Sequence, residues 1–394
     1  MKLAFLHLYL ATASGDPRMI LSIAKEFKSQ GHEVKVYCSE FNPLFLTDLH
    51  RDLNIKVVPP RASLRLALGA SSFLGKIAER IRRTKLYTDA AYRIADKLDK
   101  DFDFIFCEND YTYKAGARYK KFNSRAKVVW IMNNPPFYHS PKNNFLVNII
   151  SQCAAVYEAV VAKKFVKWID WVVVYDKKNK ADAEILGFKT KLIGNPLDFD
   201  YFYAPVKKLI SGQPIKILAV GALSPLRRFE DVVAVTAMLR KRNLDVRAII
   251  VCKDYWSDKK YRESFTSFIE NSGVKEYIDI RFDGVEEEEI MQMLRESQVS
   301  VVTNIAKVWI ATACEAMAAG LPLILTKTTS LADVLSDGEN ALFVDPRHPE
   351  QIAEKMEMLI KNSELYANVA LAGQRYVREN LSFPKFAQEI IKYP

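Results

Sequence analysis

The sequence predicts an α/β protein built from two doubly wound domains, and three observations carry that expectation. Short apolar runs alternate with helical segments through the first half, the alternation restarts near Ile215, and 394 residues suit two domains. Hydrophobic residues make up 49% of the chain and charged ones 26%, a balance that buries real cores and excludes disordered and collagen-like architectures.

The first residues, KLAFLHLYL, form a strand followed by a loop ending in Gly15-Asp16-Pro17. Their apolar run is too short to span a membrane and lacks the small-residue cleavage pattern of a signal peptide, so a cytoplasmic protein is expected. Met19, Ile20, Ile23, Ala24 and Phe27 mark one helical face, with Asp16 to cap it, Pro17 in the first turn and Gly31 to close it. The runs VKVYC, IKVV, DFIFC, AKVVWIM, WVVVY and KLI follow, with helical or loop segments between them, which is the rhythm of a parallel sheet covered by helices. Residues 145–162 (FLVNIISQCAAVYEAVVA) have Glu158 as their only charge, but Asn148, Ser151 and Gln152 interrupt them and Lys163, Lys164 and Lys167 follow. A helix packed on a sheet is expected there, not a membrane span.

After Asn195-Pro196 and a polar stretch at 204–213, the strands IKILAV, VRAIIVC, YIDIRF, VSVVT, LPLIL and ALFV alternate with helices starting near Arg228, Asp258, Glu286, Trp309, Leu331 and Pro349. The expected domains are 1–198 and 199–378, with 379–394 as a tail. No short tandem period argues for a solenoid. Ligands of such sheets bind beyond the carboxyl ends of the strands, and two facing domains put the site in the cleft between them.

With 57 basic and 47 acidic residues the chain carries +10, which points to anionic partners and says nothing about fold. The charge is uneven: residues 1–200 hold 32 basic and 21 acidic side chains (+11), and residues 201–394 hold 25 and 26 (−1). Residues 61–85 alone contain Arg61, Arg65, Lys76, Arg80, Arg82, Arg83 and Lys85 against Glu79, among Leu64, Leu66, Leu68, Phe73, Leu74 and Ile77. Basic residues among apolar ones compose either a segment lying on anionic lipid or a solvated helix flank, and both readings stand. No nucleic-acid motif accompanies the segment, so nucleic acid is not expected as a partner. The five cysteines are odd in number and widely spaced, which suggests reduced thiols. The five histidines are scattered with no ligand spacing, so no metal site is expected.

Several segments in order along nearly the whole chain carry a resemblance. Residues 314–324 (CEAMAAGLPLI) are followed by Thr328, Thr329, Ser330, Leu331, Ala332 and Asp333, and then by DGENAL at 337–342. Supporting them are SGDPR at 14–18, GHEVKVY at 31–37, GNPLDFDYF at 194–202 and FDGVEEEEI at 282–290. Together they resemble the motifs of the retaining nucleotide-sugar glycosyltransferases of family 4: E-A-M-A-x-G-x-P-v-I, G-G-x-x-E, an N-terminal glycine loop and the interdomain N-G-V-D-x-x-x-F. The resemblance implies a GT-B fold, two doubly wound Rossmann-like domains facing across a cleft, with residues 379–394 returning to the first. It also implies a nucleoside diphosphate sugar as co-substrate and no bound divalent ion.

On that resemblance Glu315 corresponds to the second Glu of the family's E-x7-E, a ribose ligand, with a helix-capping role as the alternative. Arg227 and Arg228 are placed to clamp a diphosphate, Arg228 at the family's lysine position, with an ordinary exposed pair as the alternative. Gly15 resembles the loop glycine that approaches the donor and acceptor, or forms a simple turn. Thr329 and Ser330 stand where glycines start a helix and can meet phosphate or merely cap.

The departures are specific. Lys307 replaces the family's first Glu, Ile310 a glycine, Ala222 the Arg of G-R, Cys252 a Gly, and Asn133 the acceptor-side His. Lys307 either pairs with an unusual acidic donor sugar, points to solvent, or marks lost catalysis. Asn133 can hydrogen-bond a sugar hydroxyl but not act as acid or base; in this family the departing phosphate is thought to take the acceptor proton. Two functions follow as expectations. One is a retaining transferase acting on a membrane-associated or lipid-linked glycan, placed in the cytoplasm or peripherally on its membrane face. The other is a catalytically impaired GT-B protein that partners an active enzyme.

Overall fold

Each apolar run of the first half becomes a parallel strand; the central runs, buried on both faces, have no polar side to turn to solvent, while those from IKVV and KLI are more exposed. The computed structural model describes residues 1–12, 15–64, 73–108, 111–132, 135, 137, 145–210, 212–253 and 259–394. The chain divides into two units, Met1–Gly194 with Phe383–Pro394, and Asn195–Ser382.

In the first unit β1 (Lys2–Leu10), α1 (Gly15–Ser29), β2 (Glu33–Phe41), α2 (Thr47–His50), β3 (Asn54–Val57), α3 (Phe73–Ala95) and β4 (Phe104–Glu108) come first. They are followed by α4 (Thr112–Phe122), β5 (Lys127–Met132), α5 (Phe145–Lys163), β6 (Trp171–Val174), α6 (Lys177–Ile185) and β7 (Thr190–Leu192). The sheet order is β3-β2-β1-β4-β5-β6-β7, all parallel. Phe5 and Phe106, opposite each other across β1 and β4, stack at 4.8 Å, and Phe27 of α1 lies 5.5 Å from Phe106. The stop of α1 is the one its sequence predicts: Gly31 has φ 84, and the N–H groups of Gly31 and His32 donate to the carbonyls of Lys28 and Phe27.

The second unit runs α7 (Phe199–Phe202), β8 (Ile215–Ala222), α8 (Phe229–Lys241), β9 (Val246–Lys253), α9 (Lys259–Glu270), β10 (Ile278–Arg281), α10 (Glu287–Glu296) and β11 (Val299–Val302). After these come α11 (Ala311–Ala318), β12 (Leu323–Thr326), β13 (Leu342–Val344), α12 (Pro349–Lys361) and α13 (Ser363–Asn380). Its sheet order is β10-β9-β8-β11-β12-β13. Gly320 ends α11 with φ 74, and a Cβ there would meet Ala204 O at 3.0 Å, so the Ala-Gly-Leu-Pro part of the sequence signature is a packed helix stop.

The last helix, α14 (Phe383–Ile390), packs on the first unit, where Trp171 Nε1 donates to Ile390 O (3.1 Å) and Lys191 Nζ to Glu389 O (2.7 Å). The units divide at 194/195 and 382/383, within four residues of the expected 198/199 and 378/379. The reason is local: Leu197 N donates to Leu381 O (2.8 Å), which binds both ends of the second unit to each other. The polar stretch at 204–213 also belongs to that unit, since Gln374 Nε2 donates to Ala204 O (2.7 Å) and Lys207 Nζ to Ser297 O (2.5 Å). Burial of Lys207 pulls its ammonium down to about 8.

Candidate active site

In a doubly wound sheet the ligand crevice lies where the strand order reverses, beyond the carboxyl ends of the two central strands. In the second unit these are β8 and β11. The loops that follow them are stitched together: Ile305 N donates to Leu226 O (2.9 Å), Thr303 Oγ1 to Arg227 O (2.6 Å), and both Thr326 Oγ1 (2.5 Å) and Thr328 Oγ1 (2.6 Å) to Asn304 O.

Two adjacent arginines separate in role here. Arg228 caps α8 with φ 53, a conformation that favours glycine, and its guanidinium grips the buried Asp231 through Nη2–Oδ1 (2.6 Å) and Nε–Oδ2 (3.3 Å). That pairing holds Arg228 above the usual guanidinium range. Arg227 has no carboxylate partner among the described residues. Its guanidinium folds over Gly221, where an added Cβ would lie 3.3 Å from Nε, and burial lowers its pKa. A largely buried, uncompensated cation is costly unless a ligand pairs with it.

Lys307 is also committed. Its Nζ donates to Asp333 Oδ1 (2.7 Å) and Thr329 O (3.3 Å), and both partners of the ion pair are largely shielded. Of the three readings of Lys307, the one that points it to solvent does not match this pairing: a carboxylate within reach draws the ammonium inward. Asp333 stands at the Glu of the G-G-x-x-E place, so the charge lost at position 307 is compensated within the chain. Ile310 is buried at the start of α11, packed in the core of this unit.

Glu315 is half-buried one turn into α11, whose Thr312 Oγ1 donates to Val220 O (3.3 Å) near the end of β8. Thr329 and Ser330 are both fully buried. The N–H groups of Thr329 and Ser330 donate to Thr326 O and Val308 O (both 3.1 Å), and Thr329 Oγ1 also donates to Thr326 O. Of the two roles the sequence leaves open, phosphate contact and capping, these hydrogen bonds fit the second: the chain's own carbonyls use all but Ser330 Oγ, which is buried without a hydrogen-bond partner. Among the described residues no three His, Cys, Asp or Glu side chains group to hold a metal ion.

In the first unit the corresponding strands are β1 and β4. Gly15 opens α1 with nothing within 4 Å of a would-be Cβ. Sequence reasoning missed the pair behind it. His7 and Glu108, 2% and 0% exposed, place Nε2 and Oε2 2.9 Å apart on neighbouring strands. Tyr9 N donates to His7 Nδ1 (3.0 Å), so the ring proton sits on Nε2, facing the carboxyl group. Burial holds the imidazole down to about 4, and burial with Asp16 nearby pushes Glu108 well above the carboxylate range. Tyr175, shifted upward by burial and by the same two acids, donates its hydroxyl to Met19 Sδ (2.9 Å). The available signal was a titratable residue inside each of two otherwise apolar runs, KLAFLHLYL and FIFCE.

Asn133 and Arg65 lie outside the described residues. Arg61 is exposed and 3.6 Å from Asp89 Oδ2, Arg82 and Arg83 are exposed, and Arg80 is half-buried. Leu64, among the apolar residues of that segment, is buried in the core.

Residues 204–376 match the family model described as glycosyl transferases group 1. Mannosylfructose-phosphate synthase of Agrobacterium fabrum is 23% identical, over 97% of this chain and 86% of that one. D-inositol 3-phosphate glycosyltransferase of Paenarthrobacter aurescens is 28% identical over 36% of this chain, and that match spans only 35% of its own length. The Anabaena protein HepE in complex with UDP superposes with a TM-score of 0.71 over 99% of this chain and 98% of that chain, at 18% identity. HepE is also solved with UDP and glucose and with UDP-glucose. Residues 204–376 of the second unit are therefore similar to the glycosyl transferases group 1, and the two parallel-sheet α/β units match the GT-B fold of the similar structures.

Proposed function

We propose that the protein transfers a sugar, with retention of anomeric configuration, from a nucleoside diphosphate sugar to a membrane-associated or lipid-linked glycan. The donor is held by the second unit and the acceptor by the first. The observation that carries the reading is Arg227, a shielded guanidinium without a carboxylate partner among the described residues, at the carboxyl end of the central strand β8. HepE binds UDP and UDP-glucose, which supports a nucleotide sugar as donor.

In the proposed reaction the bond from the anomeric carbon to the diphosphate oxygen breaks while the acceptor oxygen bonds to the same face. The acceptor proton passes to the departing phosphate oxygen. Negative charge grows on the diphosphate as the bond breaks, and Arg227 neutralises it, doing the work a divalent ion does elsewhere. Arg228, tied to Asp231, fixes the loop that carries Arg227. Glu315 accepts hydrogen bonds from the ribose diol.

Lys307 paired with Asp333 favours a second reading, a GT-B protein without transfer activity, since the family's first Glu is absent there. Calorimetric titration with a panel of nucleoside diphosphate sugars, followed by mass spectrometry with membrane lipids as acceptors, separates the two. A transferase is stabilised by its donor, by about 2.7 kcal/mol at a hundredfold excess over Kd, and yields product. No donor-dependent stabilisation and no product would leave the second reading.

A further inference from the structure

The solvent face of α5 is largely apolar, with Gln152 its one exposed amide, and carries no negative charge. Ile149, Cys153, Val156, Tyr157 and Val160 recur at helical spacing on one face, and Val156, Tyr157 and Val160 are 63%, 63% and 55% exposed. The opposite face packs inward through Ala155 and Ala162, both buried. Glu158, the only carboxylate of the helix, also turns inward, where Thr84 Oγ1 (3.1 Å) and Tyr111 OH (3.2 Å) donate to its Oε1. Lys163 and Lys164 extend the exposed face at its end and Lys167 follows, each exposed and without a carboxylate partner among the described residues. The neighbouring α3 adds exposed Ile81, Arg82, Arg83 and Lys85.

No helix among the described residues is long and apolar enough to cross a membrane. A stripe of this kind is suited to lie in a surface. A second copy of the chain would set one carboxylate-free, lysine-tipped face against another, with no opposite charge to meet it. Anionic lipid supplies both complements, acyl chains for the stripe and phosphates for the lysines.

We infer that the exposed face of α5 is the protein's docking surface for an anionic bilayer, with Val156, Tyr157 and Val160 at the acyl boundary and Lys163, Lys164 and Lys167 at the phosphates. This rests on the proposed lipid-linked acceptor and gives it a place in the first unit.

The test is co-sedimentation of the full chain, without donor or acceptor, with vesicles of phosphatidylcholine alone or mixed with phosphatidylglycerol at low salt. Wild type is expected to sediment with the mixed vesicles and not with the neutral ones. The K163Q/K164Q variant should partition about 30-fold more weakly, from roughly fivefold per lysine near the surface. The V156S/V160S variant should also lose binding while keeping the wild-type melting temperature, because both side chains already face solvent. Sedimentation of both variants equal to wild type, or equal binding to neutral vesicles, overturns the inference. So does a wild-type dimer in solution that V156S/V160S dissociates while vesicle binding is absent. Calorimetric donor binding by the same variants should match wild type. Vesicle binding without transfer would sink the proposed function and leave the docking surface standing, and transfer without vesicle binding would do the reverse.

Discussion

The two units repeat one topology and fill it with opposite electrostatics. Six strands of each follow the same order, reversing between β1 and β4 in the first unit and between β8 and β11 in the second. The half of the sequence with a surplus of eleven positive charges places a buried histidine, a buried glutamate and a nearby aspartate at its reversal. The near-neutral half places Arg227, Arg228 and Lys307 there. Topology sets where a ligand can sit, whereas the few side chains that reach that place set what it can be. Net charge says little about either crevice.

The comparison is broken most directly at Arg227. Arg227→Ala should lower kcat/KM by about 10²–10³, the cost of removing one preorganised donor from a developing anion, with an equal or higher melting temperature because a shielded, uncompensated charge is removed. Arg228→Ala should do the converse, costing stability because buried Asp231 loses its bidentate partner, with a smaller loss in turnover. Steady-state kinetics beside thermal melts of both variants decides it. If Arg228→Ala loses as much turnover as Arg227→Ala, the division of roles fails. Glu315→Gln should raise the donor KM about tenfold to a hundredfold with less effect on kcat, as expected for hydrogen bonds of about 1.5–3 kcal/mol made to a charged group.

A glycine pair sharpens the contrast within the first unit. At Gly116 of α4 a Cβ would meet Cys107 Sγ at 2.5 Å and Val128 Cγ1 at 2.6 Å, so Gly116→Ala should cost about 1–3 kcal/mol by overpacking. At Gly15 a Cβ meets nothing, and Gly15→Ala should leave the melt unchanged while raising the acceptor KM. A stable Gly116→Ala variant would contradict the packing, and an unchanged acceptor KM for Gly15→Ala would remove Gly15 from the site.

How far the sequence reaches is visible in these residues. The strands and most helix starts were legible because apolar runs and helical periodicity depend on burial, which acts residue by residue. The pairing of Leu197 with Leu381 was not legible, because the two meet only after folding. Arg227 and Arg228 look interchangeable in sequence. A φ of 53 and one carboxylate three residues later separate them, and neither is visible in composition. The inward turn of Thr329 was illegible for the same reason, since a hydroxyl's partner is decided by a neighbouring strand end. The His7–Glu108 pair was legible only as a histidine and a glutamate in apolar strands, not as neighbours.

That buried pair yields a pH test whose two arms have opposite sign. His7 in the folded chain takes a proton only near pH 4, against 6.5 unfolded, so between these values its term loses stability as pH falls. Glu108 is raised above its ordinary 4.5, so the folded chain holds its proton longer and its term loses stability as pH rises past 4.5. In wild type the two oppose each other between pH 4.5 and 6.5. Glu108→Gln should leave the histidine term, with stability rising by up to about 1.4 kcal/mol per pH unit across that window, and His7→Gln should leave the glutamate term and fall instead. Denaturant melts at several pH values measure both. Slopes of the same sign would show that the pair does not titrate as described.

The smallest expected effect bears on the deepest difference between this chain and the motifs it resembles. Lys307 and Asp333 are shielded but not sealed, so their coupling should be about 1 kcal/mol, more than a surface pair and less than a fully buried one. Lys307→Met and Asp333→Asn should each destabilise the second unit, and the double variant should recover most of the loss, since it removes both charges together. Activity then decides what the swap is for. If the lysine only balances the aspartate, the double variant keeps its turnover with every donor. If the ammonium serves an acidic group on the donor sugar, the double variant regains stability but loses turnover with that donor alone. Melts and donor-screen kinetics on the same three proteins distinguish the two, because in the first case stability and activity recover together and in the second they part.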